Sequence, residues 1–307
     1  MKISIIIVAY DRKEFILDAI KSVLDQTMNR DLYEIIVIKN FHDSGIDKFI
    51  EEHCDRNIIS DETTLGGKLA ESLKVAKNNI VSFLEDDDTY LPDRLKEVIE
   101  VFQKNVNLVF YHNRCVMVDE KRNFIRKGGF NPQFNLSSMA LNKNVLYLDP
   151  ISKLNVGLDT FVYYNCMDSR GDVYSSDNLL TSYMYHESSS VFVGDFEKTI
   201  EYYSKNADEF IRSIDIFIEK VETKKVRIPL LILKTKFEMN KSIFSEIIKP
   251  GNRVKIQLWR VMRFLVSNKR NTMPLKSRFL KIVEYYLPSK TKRRIEKIRY
   301  EKGQRPT

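Results

Sequence analysis

The stretch NIVSFLEDDDTYLPDRL, residues 79–95, decides how this chain is read. It opens with an apolar, β-rich run of strand length, NIVSFL. Four carboxylates follow at once, Glu85 to Asp88, and then Leu91-Pro92 ahead of a helical pattern. Adjacent like charges repel, so a folded chain that sets four of them directly after a buried strand needs a reason. Pro92 suits the first turn of the next helix, where its fixed φ is helical and its missing N–H is not needed.

Working outward, the same alternation repeats. ISIIIV (3–8) is a continuous apolar run that suits a strand buried on both faces. RKEFILDAIKSVLDQ (12–26) places Phe15, Ile16, Ala19, Ile20, Val23 and Leu24 at helical spacing. YEIIVIK (33–39) and NIIS (57–60) read as strands, GIDKFIEEH (45–53) and GKLAESLKVAK (67–77) as helices. Strand and helix alternating at this spacing imply an α/β fold, a mostly parallel sheet flanked by helices. Ligands of such sheets sit outside the carboxyl ends of the strands, which is where the acid cluster falls.

Further on, 107–119 and 124–128 read as an antiparallel pair, 136–146 as a strand leading into a turn or helix, and 156–167 as a helix. Residues 175–191 read as a polar loop, a strand and a Ser-rich loop, and everything beyond about 195 as helix. The expected division is a catalytic domain over 1–195, with a first half to 105 and a second from 106, and a helical appendage over 196–307.

With 43% hydrophobic and 30% charged residues, the 307-residue chain reads as soluble and globular. Cys54, Cys115 and Cys166 are scattered and odd in number, which argues against a zinc site and for a reducing, cytoplasmic setting. MKISIIIVAY is interrupted too soon to read as a signal peptide, and no run approaches the roughly 20 apolar residues of a spanning helix. The net charge of +8 conceals an asymmetry: residues 241–307 hold 19 Lys and Arg against 4 Asp and Glu, whereas the first 240 hold 31 against 38. An acidic front and a basic tail point to different tasks.

A divalent cation relieves the repulsion within the acid cluster. Mg²⁺ and Mn²⁺ take oxygen ligands and bridge to substrate phosphates, which suits a nucleotide-diphosphate substrate. A solvated acidic loop is the plainer reading of the same residues.

At this point a resemblance emerges. ISIIIVAYDRKEFILDAIKSVLDQT and LGGKLAESLKVAKNNIVSFLEDDDTYLPDRL resemble the family 2 glycosyltransferases of the GT-A, Rossmann-like fold, over roughly residues 2–190. The resemblance implies a nucleotide-sugar donor, a Mg²⁺ or Mn²⁺ cofactor and inversion at the anomeric carbon. Glu85 stands where the family usually has its first Asp. Asp86 would hold the donor ribose, Asp87 would bind the metal, and Asp88 would support it. Ala9, Tyr10 and Arg12 occupy the segment that lines the donor base. In GLDTFVYYN, Asp159 stands where the family has its catalytic base; the plainer reading is a helix-start Asp that the helix dipole favours. YMYHESSSV resembles the family's Tyr-x-x-His stretch, so His186 would complete the metal site or touch the diphosphate.

Two segments depart from the family. In IKNFHDSG, Lys39-Asn40 replace the usual acids, which leaves the nucleotide open. In GGKLAES, Lys68 is offered to the diphosphate as a point charge, against the plainer reading of a surface helix lysine; Gly66-Gly67 is too short for a phosphate loop.

In GNRVKIQLWRVMRFLVSNKR, Val254, Leu258, Val261, Met262 and Leu265 share a helical face, with Arg253, Arg260 and Arg263 flanking it and Trp259 beside it. Such a helix suits an anionic membrane surface and would bring the enzyme to a glycan or lipid-linked acceptor, peripheral at the inner face of the membrane. Packing of the stripe onto the catalytic domain is the alternative, and no nucleic-acid module accompanies the tail. Two other functions compete. A nucleotidyltransferase would want a Gly-rich loop after the first strand, and AYDRKEF has no Gly. A catalytically idle, membrane-associated binding protein of the same fold is the other.

Overall fold

The computed structural model describes residues 1–10, 12–127, 135–185, 195–267 and 273–302. The chain divides into two compact units, Met1–His186 and Glu187–Thr307.

The first unit is built on one mixed sheet. Its strands are β1 (Ile3–Ala9), β2 (Tyr33–Lys39), β3 (Arg56–Ile59), β4 (Ile80–Glu85), β5 (Thr89–Tyr90), β6 (Leu108–Val118), β7 (Phe124–Lys127), β8 (Met139–Asn142) and β9 (Asp172–Met184). They lie in the order β3-β2-β1-β4-β8-β6-β9-β5, with β7 paired to β6. β3, β2, β1 and β4 run parallel, as the strand-helix alternation requires. Beyond β4 the sheet becomes mixed: β8 is antiparallel to β4 and β6, and β9 is parallel to β6.

Helices α1 (Ile16–Leu24), α2 (Ser44–His53), α3 (Leu65–Val75), α4 (Arg94–Lys104), α5 (Leu148–Ser152) and α6 (Leu158–Asp168) complete the unit. Every residue of β1 and β2 is buried, so their unbroken apolar runs serve a sheet covered on both faces. Side chains from β1, β2, α1 and α4 (Ile5, Ile7, Ile35, Val37, Ile20 and Val98 among them) form the main core.

The two glycines ahead of Lys68 have a packing role. A Cβ on Gly66 would lie 1.9 Å from the Ile151 carbonyl oxygen, and its N–H donates to the Leu154 carbonyl at 2.9 Å. Only a residue without a side chain lets the start of α3 approach that backbone so closely. Thr64 caps α3 by accepting from the Gly67 N–H at 2.8 Å.

Several expectations are corrected. The residues from 175 that read as a polar loop belong to β9, which pairs with β6 from Asp172 onward. α1 starts at Ile16 rather than near residue 12, and Pro92 lies two residues ahead of α4 instead of in its first turn.

The second unit is helical: α7 (Phe196–Ile218), α8 (Lys224–Ile248), α9 (Leu258–Val266), α10 (Leu275–Tyr286) and α11 (Ser289–Glu301). α7 and α8 pair along their lengths, with Phe210 stacked on Phe237 at 4.2 Å. One cluster joins Phe196, Ile200, Ile243, Phe244 and Ile247; another joins Ile232 and Met239 to Val261, Phe264 and Tyr285. Val254 precedes α9 and is held by hydrogen bonds outside any helix, so it does not belong to that helix's stripe.

Candidate active site

β4 ends in a tight turn, with the Asp88 N–H donating to the Glu85 carbonyl at 3.2 Å. The turn points the four carboxyl groups in different directions, but burial still sets them against each other. Asp86 and Asp88 are fully buried and Asp87 is 7% exposed. Burial, followed by repulsion from Asp88, Asp87 and Asp159, pushes the Glu85 carboxyl well above its ordinary range. Burial also pushes Asp86 up to about 6, although Arg12 and the Tyr10 N–H oppose it. Asp88 is pushed up to about 8 by burial and by Asp87, against hydrogen bonds from Ser137 and the Met184 N–H.

The end of β1 supplies the compensating cation. The Tyr10 N–H donates to Asp86 Oδ2 at 2.9 Å. Arg12 Nη2 lies 3.0 Å from Asp86 Oδ1, and its Nη1 donates to Asp87 Oδ2. Burial works against the guanidinium's charge, but Asp86, Asp87, Glu85 and Asp88 outweigh it and raise its pKa. Tyr10, Arg12, Asp86 and Asp87 are therefore one constellation, which follows directly on Ala9 at the end of β1.

Asp88 faces the other side of the site. Its Oδ1 accepts from the Met184 N–H at 2.9 Å, tying the turn to the end of β9. Its Oδ2 is buried without a hydrogen-bond partner, and such an oxygen suits a cation. His186, two residues beyond Met184, lies outside the described residues. Among the described residues no three His, Cys, Asp or Glu side chains form a metal-holding group. The oxygen set nevertheless fits Mg²⁺ or Mn²⁺, because these ions need only one or two protein carboxylates beside substrate phosphates.

Lys68 is not a surface lysine. It is 2% exposed, its ammonium donates to the Glu62 carbonyl, and its Nζ sits 5.3 Å from the centre of the Tyr10 ring. Lys39, at the position of the missing acids, turns inward. It is fully buried, 2.6 Å from Asp47 Oδ1 and 2.7 Å from the Phe41 carbonyl oxygen. Burial alone would raise the Asp47 pKa, but the Lys39 hydrogen bond brings it down to about 2.

Asp159 lies in the first turn of α6, after Gly157 in the left-handed region at φ 63°. Its Oδ1 accepts from the Thr160 N–H at 2.7 Å. It is close enough to Glu85 for their charges to repel, which brings it to the acid cluster. Burial pushes its pKa up to about 6, against that backbone hydrogen bond.

Three contributors escaped the sequence. Ser137 accepts no charge but donates to the cluster and takes the Glu85 N–H at 3.0 Å. Arg122, at φ 63° in the β6–β7 turn, donates to the Asp87 carbonyl at 2.9 Å. Arg94 is fully buried and braces the strands, donating to Ser82 Oγ at 2.8 Å and to the Met139 carbonyl at 3.1 Å. No local signal marks Ser137 or Arg122. Arg94 had one, a cation one residue after the helix cap in the LPDRL stretch.

A parallel half-sheet with a buried acid turn at its carboxyl edge, continued by mixed strands, defines the GT-A class of fold. Within that class, residues 4–154 match the model "Glycosyl transferase family 2". The E. coli UDP-Glc:alpha-D-GlcNAc-diphosphoundecaprenol beta-1,3-glucosyltransferase WfaP is 24% identical over 214 residues, 64% of this chain and 82% of that protein. The chain spans less than half the length of the first curated relatives it matches, 41% and 47%. Two solved structures are similar in fold. S. aureus TarS 1–349 in complex with UDP-GlcNAc has a TM-score of 0.54 at 14% identity, covering 99% of this chain and 93% of that one. The Pyrobaculum calidifontis mannosyltransferase PcManGT, in complex with GDP-Man and Mn²⁺, has a TM-score of 0.53 at 11% identity, covering 96% and 84%.

Proposed function

We propose that the chain is an inverting glycosyltransferase that moves a sugar from a nucleoside-diphosphate sugar to a hydroxyl of a glycan or lipid-linked acceptor. The observation that carries this reading is the buried Asp86-Asp87-Asp88 turn gripped by Tyr10 and Arg12, with the charge of Asp159 felt at Glu85. The match of residues 4–154 to the family 2 model and the nucleotide-sugar ligands of the structural relatives support it.

Asp86 holds the donor ribose beside the Ala9-Tyr10 backbone, and the exposed Tyr10 ring offers a face to the base. Arg12 and Lys68 are the nearby cations that orient the diphosphate. Asp87 and Asp88, with His186 from outside the described residues, would hold Mg²⁺ or Mn²⁺. When bound there, the ion supplies charge neutralisation for the departing nucleoside diphosphate. The acceptor oxygen attacks the anomeric carbon from the face opposite the diphosphate. Its bond to carbon forms as the carbon–diphosphate bond breaks, and the hydroxyl proton passes to Asp159. A pKa of about 6 suits that base, since it is ionised at neutral pH yet still basic enough to take the proton. On this reading residues 1–195 form the catalytic domain, and the basic region over 196–307 keeps the enzyme beside an anionic membrane carrying the acceptor.

The test is a thermal-shift screen of UDP, GDP, dTDP and CDP and their sugars, with and without Mn²⁺, beside Asp87→Ala. A ligand that binds only the folded state raises the melting temperature. Metal-dependent stabilisation by one nucleotide, lost in the variant, is expected. No shift with any nucleotide at millimolar concentration would overturn the donor-site reading and favour an idle fold.

A further inference from the structure

Helix α10 is inside out. It buries Arg278, Lys281, Glu284 and Tyr285 and exposes Leu275, Phe279, Leu280 and Val283. An amphipathic helix on a water-facing protein does the reverse. α9 adds a second apolar stripe: Leu258 is 68% exposed, Trp259 56%, Met262 49% and Val266 67%. Their inward neighbours Val261 and Phe264 pack with Tyr285 of α10, so the two helices stand side by side.

The inversion is fixed by what holds the inner face. Arg278 Nη1 donates to the carbonyls of Phe264 at 3.2 Å and Leu265 at 2.9 Å, closing the last turn of α9. Arg299 of α11 donates to both carboxylate oxygens of Glu284, at 2.9 and 3.0 Å. The Tyr285 hydroxyl donates to the Val254 carbonyl at 2.6 Å. Turning α10 to hide its apolar side would leave these buried polar groups without partners, at a cost that exceeds the gain. The exposed apolar face is therefore a built feature, and exposed patches of this kind mark a surface meant for something other than water.

We propose that the outer faces of α9 and α10 dock onto an anionic lipid bilayer, with Trp259, Met262, Phe279 and Leu280 entering the headgroup–acyl boundary. Charge selects this occupant over a second copy of the chain. Of the nine Lys and Arg in residues 253–286, Arg278 and Lys281 are buried and Arg253 and Arg260 pair with Glu246 and Glu238, but Lys255 and Lys276 are exposed and the sole acid of the stretch, Glu284, is buried. A second copy would set like charge against like, whereas an anionic headgroup layer offsets it. Lys276 lies on the exposed side of α10 itself, and Lys255 is exposed just ahead of α9. Each has a stem long enough to run along the apolar surface while its ammonium meets phosphate. Among the described residues no helix is long and apolar enough to cross a membrane, so the docking is interfacial. This surface is argued from the second unit alone and stands whichever transfer the first unit performs.

Trp259 is the chain's single tryptophan, which makes the test direct. Tryptophan emission of the full chain is recorded with vesicles of phosphatidylglycerol and phosphatidylcholine, with pure phosphatidylcholine vesicles, and alone, beside vesicle flotation. A blue shift and co-flotation with the anionic vesicles are expected, both weakening as NaCl rises. Phe279→Ser with Leu280→Ser, at positions exposed in the fold, is expected to lower the partition coefficient at least about tenfold, and Lys276→Gln about fivefold. Nucleotide-induced thermal shifts stay unchanged in both variants, which separates this surface from the donor site. Absence of shift and flotation would overturn the proposal. So would a concentration-dependent blue shift without vesicles that tracks dimer formation by light scattering, which would give the face to a second copy.

Discussion

Both units bury charge, and they do so by opposite rules. In the first unit, Glu85, Asp86, Asp87 and Asp88 share one sign, and the nearest compensation is Arg12 at the end of β1. In the second, the buried charges alternate. Glu246 pairs with Lys292 and Arg253, while Arg299 bridges Glu284 and Glu296. An alternating network satisfies itself and serves as a scaffold. A like-signed cluster holds excess charge that protons or an outside cation relieve. The difference separates a site from a strut, although an inventory of buried ionisable groups lists both.

The comparison is broken most easily at Asp159. Asp159→Asn keeps the acceptor for the Thr160 N–H, so the melting temperature should hold while kcat falls about 10²–10⁴-fold, the range for a lost general base. Steady-state kinetics beside a thermal melt check it; unchanged kcat would remove Asp159 from the chemistry. Next in size is the scaffold. Glu246→Gln strands the buried Lys292, and denaturant unfolding should show a loss of about 3 kcal/mol, with activity per folded molecule preserved.

Asp88→Asn sharpens the contrast from the other side. The Asp88 pKa of about 8 lies above its ordinary 3.8, so the folded state keeps a proton that the unfolded chain releases between those values. Its contribution to stability therefore falls as pH rises from about 4 to about 8 and is flat beyond. Asn, which retains the acceptor for Met184, carries no such penalty. The melting temperature of the variant should climb relative to the parent across that window, by a few degrees at the upper end, while metal-dependent nucleotide binding weakens. The smallest effect is the pH profile of the parent. With Asp159 near 6, kcat/KM should rise about tenfold per pH unit below that value and level off above it. A profile flat from pH 5 to 7 would contradict the assignment.

The parallel half of the sheet was legible because β1, β2 and β4 are buried on both faces and read as unbroken apolar runs. The acid turn was legible because its residues are consecutive. The first half of β9 was not. Asp172, Ser175 and Ser176 carry no strand pattern, and their extended conformation comes from pairing with β6, which is distant in sequence. Arg122 was hidden for a similar reason, since its reach to Asp87 depends on a turn geometry and not on spacing. The burial of Lys68 and Lys39 was equally out of view, since each is held by a carbonyl that composition does not reveal. The region of α10 reads only as helix in the sequence, and its inward polar side was out of view, because a periodic pattern gives two faces without saying which one meets water.

Arg12 gives ligand entry at this site the character of an exchange. A guanidinium already sits on Asp86 and Asp87, so on the proposed function a divalent cation would compete there with a tethered rival of fixed local concentration. Its apparent affinity is then a ratio of two affinities, weaker than the number of carboxylates suggests, and it improves when a diphosphate draws the guanidinium away. Metal and nucleotide should accordingly bind as a cooperative pair, each clearing the way for the other.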